Sequence, residues 1–203
     1  HSCSGIRGYN KLQKLNHKIK VSILGATGMV GQRFILLLSN HPWFKIVDVA
    51  ASENSANKSY KRAVSSKWVM DDPIPDNIKN LKIRSVENFN DIPKGVKVVF
   101  SAVDLSEKEK TRKFEFRYAK KGYAVISTSS ANRGSDDVPM IIPEINHDHL
   151  DIIKFQQKKH HLPDSGLVVV KPNCSIQSYV FVLDALKKAN YKVPLPKKGE
   201  GKK

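Results

Sequence analysis

Apolar positions between residues 20 and 189 fall into a repeating alternation of short runs and helical stripes. Val21–Leu24 is an apolar run; a glycine-rich turn follows, and then Met29, Val30, Phe34, Leu37 and Leu38 recur at spacings that share one helical face. This reads as strand, turn, helix. His41-Pro42 ends the helix, because the residue before a proline is pushed out of the α region, and Phe44–Ala51 reads as a second strand. A polar stretch, Ser52–Ser66, leads to a loop with Pro73 and Pro75 and a short strand around Leu81–Ile83. The rhythm resumes with a β run over Val96–Ala102, a charged amphipathic helix over Leu105–Lys121 closed by Gly122, and a strand over Tyr123–Ser127. Met140–Ile142, a helix-like His147–His160 and the strand Leu167–Val170 complete it, and Ile176–Ala189 carries Val180, Leu183 and Leu186 at helical spacing. Strands that alternate with helices predict an α/β fold built on a doubly wound parallel sheet. The chain divides into a basic tail over residues 1–19, one folded domain over 20–190 and a proline-, glycine- and lysine-rich tail over 191–203 that predicts disorder.

Two places carry chemistry. Gly25-Ala26-Thr27-Gly28-Met29-Val30-Gly31 lies between a predicted strand and a predicted helix. The first glycine permits a tight turn, the second lets backbone reach a pyrophosphate, and the third lets helix and strand pack closely, while the helix N-terminus offers N–H donors. The sheet is therefore expected to be Rossmann-like and to bind a dinucleotide. At the end of the second strand, Ser52, Ser55 and Lys58 suit an additional phosphate and argue for NADP as cofactor, with Glu53 the dissenting residue. Cys174 follows the run Leu167–Val170 and precedes a helix, which makes it the candidate nucleophile: helix N-termini favour the thiolate, and open α/β sheets build their sites at strand carboxyl ends.

Composition narrows the classes without choosing among them. The 203 residues, 40% of them hydrophobic, suffice for one substantial core, and no apolar stretch approaches the ~18 residues of a membrane-spanning helix. The net charge of +16 favours anionic partners, phosphorylated small molecules among them. The lysines are dispersed without interleaved aromatics, which argues against nucleic acid. Two cysteines, Cys3 and Cys174, make neither a disulfide framework nor a paired-cysteine zinc site, so no metal is expected and a reducing, cytoplasmic setting is the default. Residues 1–20 lack acidic side chains and carry several Lys and Arg, which also fits an organellar transit remnant.

Five segments in order across Lys20–Ala189 resemble aspartate-semialdehyde dehydrogenase of the archaeal and fungal type. They are Gly25–Gly31 with Gln32-Arg33-Phe34, Ala51–Lys58, Val98–Ala102, Val138–Asn146 and Pro172-Asn173-Cys174-Ser175. The resemblance implies an NADP-dependent oxidoreductase of amino-acid biosynthesis that interconverts aspartate semialdehyde plus phosphate with aspartyl phosphate through a thioester on Cys174. It places Asn173 beside the nucleophile and Arg133 on phosphate or the phosphorylated substrate, an anion that the guanidinium fork suits. Gly25, Thr27, Gly28, Met29, Val30, Gly31, Ser52, Ser55, Lys58, Ser101 and Ala102 would bind the cofactor. Three segments depart from the family: Asn57 stands where glycine is usual, Thr128 replaces an asparagine, and Val103-Asp104 replaces Leu-Pro. The family's acid/base histidine, positioning glutamine and substrate-gripping residues belong to a second domain that follows the cysteine helix. Nothing among these 203 residues matches that domain, so the resemblance leads us to expect a truncated form, for which the homo-oligomer of the full-length family is not expected. His147, His149, His160 and His161 precede the cysteine and read as surface residues. An N-acetyl-glutamyl-phosphate reductase-like enzyme and a non-catalytic nucleotide-binding module are the alternatives.

Overall fold

The computed structural model describes residues 17–191, so most of both predicted tails, with Cys3, lie outside the described residues. Strand β1 (Ile19–Leu24) is central because four of its residues, Val21 to Leu24, are fully buried, as a strand covered on both faces must be. Phe44–Ala51 (β2), Arg84–Ser85 (β3), Val96–Ser101 (β4), Ala124–Ser127 (β5) and Leu167–Val170 (β6) join it in the order β3-β2-β1-β4-β5-β6. Every pair is parallel. The order reverses between β1 and β4, and that switch point opens a crevice at the carboxyl ends of the strands.

Two apolar layers cover the sheet. Helix α1 (Met29–Ser39) places Ile35 and Leu38 against Val21, Ile23 and Val49, a layer that also takes in Tyr60 and Val64 of α2 (Tyr60–Val64) and Ile78 of α3 (Asp76–Lys79). On the opposite face, α4 (Lys108–Lys120) lays Phe114, Tyr118 and Ala119 on Leu24, Val99, Val125 and Val168. The short α5 (Pro143–Asn146) and α6 (Ile152–His160) precede β6, and α7 (Cys174–Gln177) and α8 (Val180–Lys188) follow it.

The alternation was legible, but several details differ from expectation. Met29, Val30 and Leu37 do not face the core; they are 66%, 44% and 59% exposed, and the buried line runs Gly31, Gln32, Ile35, Leu38. Apolar residues surround much of this helix, so periodicity alone cannot fix its rotation, whereas the contact of Gly31 with the turn does. The polar stretch Ser52–Ser66 contains a 3₁₀ turn, Glu53–Ser55, and then α2, whose Ser59 cap accepts from Arg62 N at 3.4 Å. The strand expected at Leu81–Ile83 forms at Arg84–Ser85 instead, and Lys82 makes only an isolated antiparallel bridge to Ser59. Met140 likewise contributes a single bridge, to Val170. The helix predicted from Leu105 starts at Lys108, and His147–His160 begins as a 3₁₀ turn, His147–Asp151. The segment Ile176–Ala189 breaks at Ser178-Tyr179 into α7 and α8, and none of the residues of α8 is buried.

Candidate functional site

The glycine turn sits at the carboxyl end of β1, and each of its three glycines has a different cause. Gly25 has φ +72°, and a Cβ there would lie 2.6 Å from the Ala102 carbonyl oxygen at the end of β4. At Gly31 a Cβ would meet the Gly25 carbonyl oxygen at 2.2 Å and Ala26 Cα at 2.7 Å. Gly28 differs. Its φ of −79° and ψ of 162° suit any residue, and a Cβ would find only Gly25 O, at 3.5 Å. No contact among the described residues excludes a side chain at 28; the space that it would fill opens outward, beside exposed Met29 and Val30.

Buried polar groups hold this turn still. Gln32, 1% exposed, donates from Nε2 to Thr27 O at 2.9 Å and Lys67 O at 2.8 Å, and its Oε1 accepts from Val69 N at 3.0 Å. The Tyr60 hydroxyl, whose pKa burial drives well above a free phenol's, donates to Ala26 O at 2.8 Å. At the end of β4, Ser101 is fully buried; its Oγ is near enough to Glu115 to favour that acid's charged form, yet it makes no hydrogen bond of normal geometry. Glu115, also fully buried, accepts from Ser127 Oγ and Asn132 Nδ2, both at 2.7 Å. Burial outweighs these bonds and raises its pKa.

Of the residues expected around an additional phosphate, Ser52 is exposed, Ser55 is buried, and Lys58 is exposed with Nζ folded onto Asn54 O at 2.7 Å. Glu53 is turned toward β3, where it accepts from Ser85 Oγ at 2.5 Å. Asn57 has φ +66°, the left-handed conformation that asparagine tolerates better than most residues, so the loop keeps the backbone a glycine would give it. A cavity of about 470 Å³ adjoins this loop, with Glu53, Asn57, Arg84 and Ser85 among its walls.

Cys174 opens α7, three strand spacings or about 14 Å across the sheet from β1. It is exposed, and its thiol donates to Asn173 Oδ1 at 3.2 Å. Arg133 reaches the same loop: Nε donates to Lys171 O at 3.2 Å and Nη2 to Thr128 O at 2.8 Å. Thr128 in turn donates from Oγ1 to Ser101 O at 3.1 Å, and Asp104 Oδ1 accepts from Ser129 Oγ at 3.2 Å, so two of the departures from the family are built into the strand-end loops. The stretch preceding Arg133 is braced by Asn132, which joins Glu115 to Arg112 Nη1, at 3.2 Å from the latter.

Sequence reasoning missed Lys171, Gln32, Glu115 and the Asp137 cluster. Asp137, 1% exposed, accepts from Arg112 Nη2 at 2.8 and 3.0 Å, pairs with Lys159 at 3.1 Å and meets His160 Nε2 at 2.5 Å. These partners overcome burial and hold its carboxyl well below the usual carboxylate range. His160, expected at the surface, is thus part of a largely buried knot that pins α4 to α6. An isolated acid with no motif around it gives no signal in sequence. Among the described residues no group of three or more His, Cys, Asp or Glu could hold a metal ion, and no helix is long and apolar enough to cross a membrane.

The sheet order, the glycine turn at its switch point and the strand-end cysteine define a Rossmann-like dinucleotide-binding domain. Comparison with known proteins agrees. The family described as "Semialdehyde dehydrogenase, NAD binding domain" matches residues 20–153, and the chain belongs to it. Aspartate-semialdehyde dehydrogenase of Archaeoglobus fulgidus is 38% identical over 171 residues, which cover 83% of this chain and 46% of that protein. Its counterpart in Schizosaccharomyces pombe is 39% identical over 172 residues, 84% of this chain and 45% of that one. The crystal structure of the Candida albicans aspartate-semialdehyde dehydrogenase with NADP superimposes with a TM-score of 0.73 at 32% identity, over 86% of this chain and 48% of that one. The chain therefore spans a little under half the length of the relatives it matches.

Proposed function

We propose that this chain is the nucleotide-binding half of an NADP-dependent aspartate-semialdehyde dehydrogenase, with Cys174 as the nucleophile. The observation that carries the reading is the outward-opening space at Gly28, which no contact within the protein explains and a pyrophosphate would fill, on the same sheet edge as Cys174 and Arg133. The turn backbone would hold the pyrophosphate at the N-terminus of α1. Glu53, engaged by Ser85, leaves Ser52 and Lys58 to meet the 2′-phosphate, and the neighbour from Candida albicans carries NADP in its crystal structure.

In the proposed chemistry the Cys174 thiolate adds to the aldehyde carbon of aspartate semialdehyde, and the carbonyl oxygen takes up a proton to give a thiohemiacetal. Loss of the carbinol hydrogen as hydride and of the hydroxyl proton leaves a thioester. The bound nicotinamide supplies the hydride acceptor. A phosphate oxygen then attacks the thioester carbonyl, and the C–S bond breaks to return the thiolate and release aspartyl phosphate. Arg133 would bind the phosphate, because its two anchored nitrogens leave Nη1 without a partner among the described residues. The test is titration with NADPH and NADH together with a phosphate-dependent turnover assay on aspartate semialdehyde. NADPH-selective binding supports the reading, and turnover adds that the catalytic groups are complete. Failure of both cofactors to bind overturns it.

A further inference from the structure

Lys171 belongs to no motif of the glycine turn and has no carboxylate partner among the described residues. It is the first residue after β6, locked in place because its N–H donates to Ser127 O at 3.0 Å and its carbonyl accepts from Arg133 Nε at 3.2 Å. Its Nζ turns forward along the chain toward the cysteine, donating to Pro172 O at 2.9 Å, and uses only one of three N–H groups in doing so. Neither Lys171 nor Arg133 forms an ion pair with a carboxylate among the described residues, although Asp137, Asp48 and Glu87 each hold an arginine elsewhere on the domain. Two uncompensated cations, tethered to each other through the Lys171 carbonyl, thus stand beside one exposed thiol. The proximity shows at Lys171, whose pKa burial and the Arg133 charge lower, against an opposing influence of the Cys174 side chain.

We infer that Lys171 is a second anion-binding cation of the cysteine site, which draws a phosphate or other small dianion to the sulfur together with Arg133. The inference rests on the proposal that Cys174 is the nucleophile. A guanidinium fixed by two carbonyls recognises the shape of a phosphate, and a nearby ammonium adds point charge without demanding geometry.

The test compares alkylation of Cys174 by iodoacetate, an anion, and by iodoacetamide, its neutral analogue of nearly equal size, in the full chain. Peptide mass spectrometry separates labelling at Cys174 from labelling at Cys3. The ratio of the two rates reports the local field, and a loss of packing alone would move both rates together. Lys171→Met should lower the iodoacetate-to-iodoacetamide ratio about fivefold, as expected for removal of one unit charge a few ångströms away in a wet site. Lys171→Arg should restore most of it, and inorganic phosphate should slow iodoacetate labelling less in Lys171→Met than in the parent. A ratio unchanged in Lys171→Met, with the parent labelled normally at Cys174, would overturn the inference alone. Absence of Cys174 labelling by either reagent in the parent would instead sink the nucleophile reading on which it depends.

Discussion

Gly28 and Gly31 are three residues apart in one motif, yet replacing each by alanine should weaken cofactor binding for different reasons. At Gly31 the new methyl would lie 2.2 Å from the Gly25 carbonyl oxygen, and the nearest atoms are all backbone, so α1 must move away from the turn. Overpacking of this kind costs about 1–3 kcal/mol, from which about 1 kcal/mol of improved helix propensity is recovered. The displaced helix also strains the Gln32 bonds that clamp the turn. Gly31→Ala should therefore lose up to about 2 kcal/mol of stability and bind cofactor weakly because the turn is deformed. At Gly28 the methyl meets nothing closer than 3.5 Å, and the backbone dihedrals are ordinary for alanine. Reduced freedom of the unfolded chain favours Gly28→Ala by about 0.4–1 kcal/mol, and loss of the glycine N-cap of α1 offsets a similar amount, so Tm should stay within about 2 °C of the parent. The same methyl stands where the pyrophosphate must approach, so NADPH affinity should fall at least about a hundredfold, or roughly 2.7 kcal/mol. Thermal unfolding and fluorescence titration with NADPH on the same samples decide the matter. A Gly28→Ala chain that binds NADPH within threefold of the parent would refute the argument that the ligand, not the fold, requires this glycine.

Other perturbations test the polar framework. Asp137→Asn should cost about 2–3 kcal/mol, because Arg112 is left partly buried opposite a neutral amide. The Asp137 carboxyl is held below its unfolded value, so its stabilisation is complete above about pH 5 and is lost as pH falls; denaturant midpoints at pH 7 and pH 4 should show a shallower acid limb in the variant. Glu115 has the opposite sign: its raised value means stability present at low pH and lost as pH rises through the folded value, and Glu115→Gln should flatten that decline in the same measurements. Ser85→Ala should free Glu53 to face the ribose and shift the NADPH-to-NADH affinity ratio about threefold toward NADH, roughly the worth of one exposed polar contact. An unchanged ratio would show that Glu53 never competes for that position.

What the sequence made legible follows from the range of the interactions involved. The order of strands and helices could be read because each apolar run or stripe is local, and the Gly25–Gly31 and Pro172–Ser175 segments are contiguous. Rotation of α1 could not, because Met29, Val30, Leu37 and Leu38 are equivalent in hydropathy and only the Gly31–Gly25 contact chooses between faces. The strand at Arg84–Ser85 was displaced from the apolar Leu81–Ile83 because it is set by tertiary pairing: Arg84 is buried against Asp48 at 2.7 Å, and a charged residue advertises no strand. The helical stripe of Val180, Leu183 and Leu186 was read correctly as a helix but carried no information about what it packs on, and within the described residues α8 buries nothing. Asn57 shows the converse: a substitution that departs from the family pattern retains the left-handed backbone the loop requires.

Most of the candidate site residues are exposed or half-buried, and the groups that fix them are mostly buried and polar. Backbone pairing in the sheet brings the ends of β1, β4, β5 and β6 onto one edge, but it cannot set the loops that project beyond them. Gln32 and Tyr60 hold the glycine turn by carbonyls, and Glu115 and Asn132 hold the stretch before Arg133. Arg133 in turn holds Lys171, and so the Pro172-Asn173-Cys174 loop. A buried polar group without partners costs about 1–3 kcal/mol, so each of these bonds strongly penalises any loop position that would break it. Ser101 is the exception, a buried hydroxyl at the switch point with no bond of good geometry, next to an acid whose proton affinity burial has raised. A braced strand edge of this kind suits the proposed function, in which a dinucleotide enters along one strand end and Cys174 is presented at another.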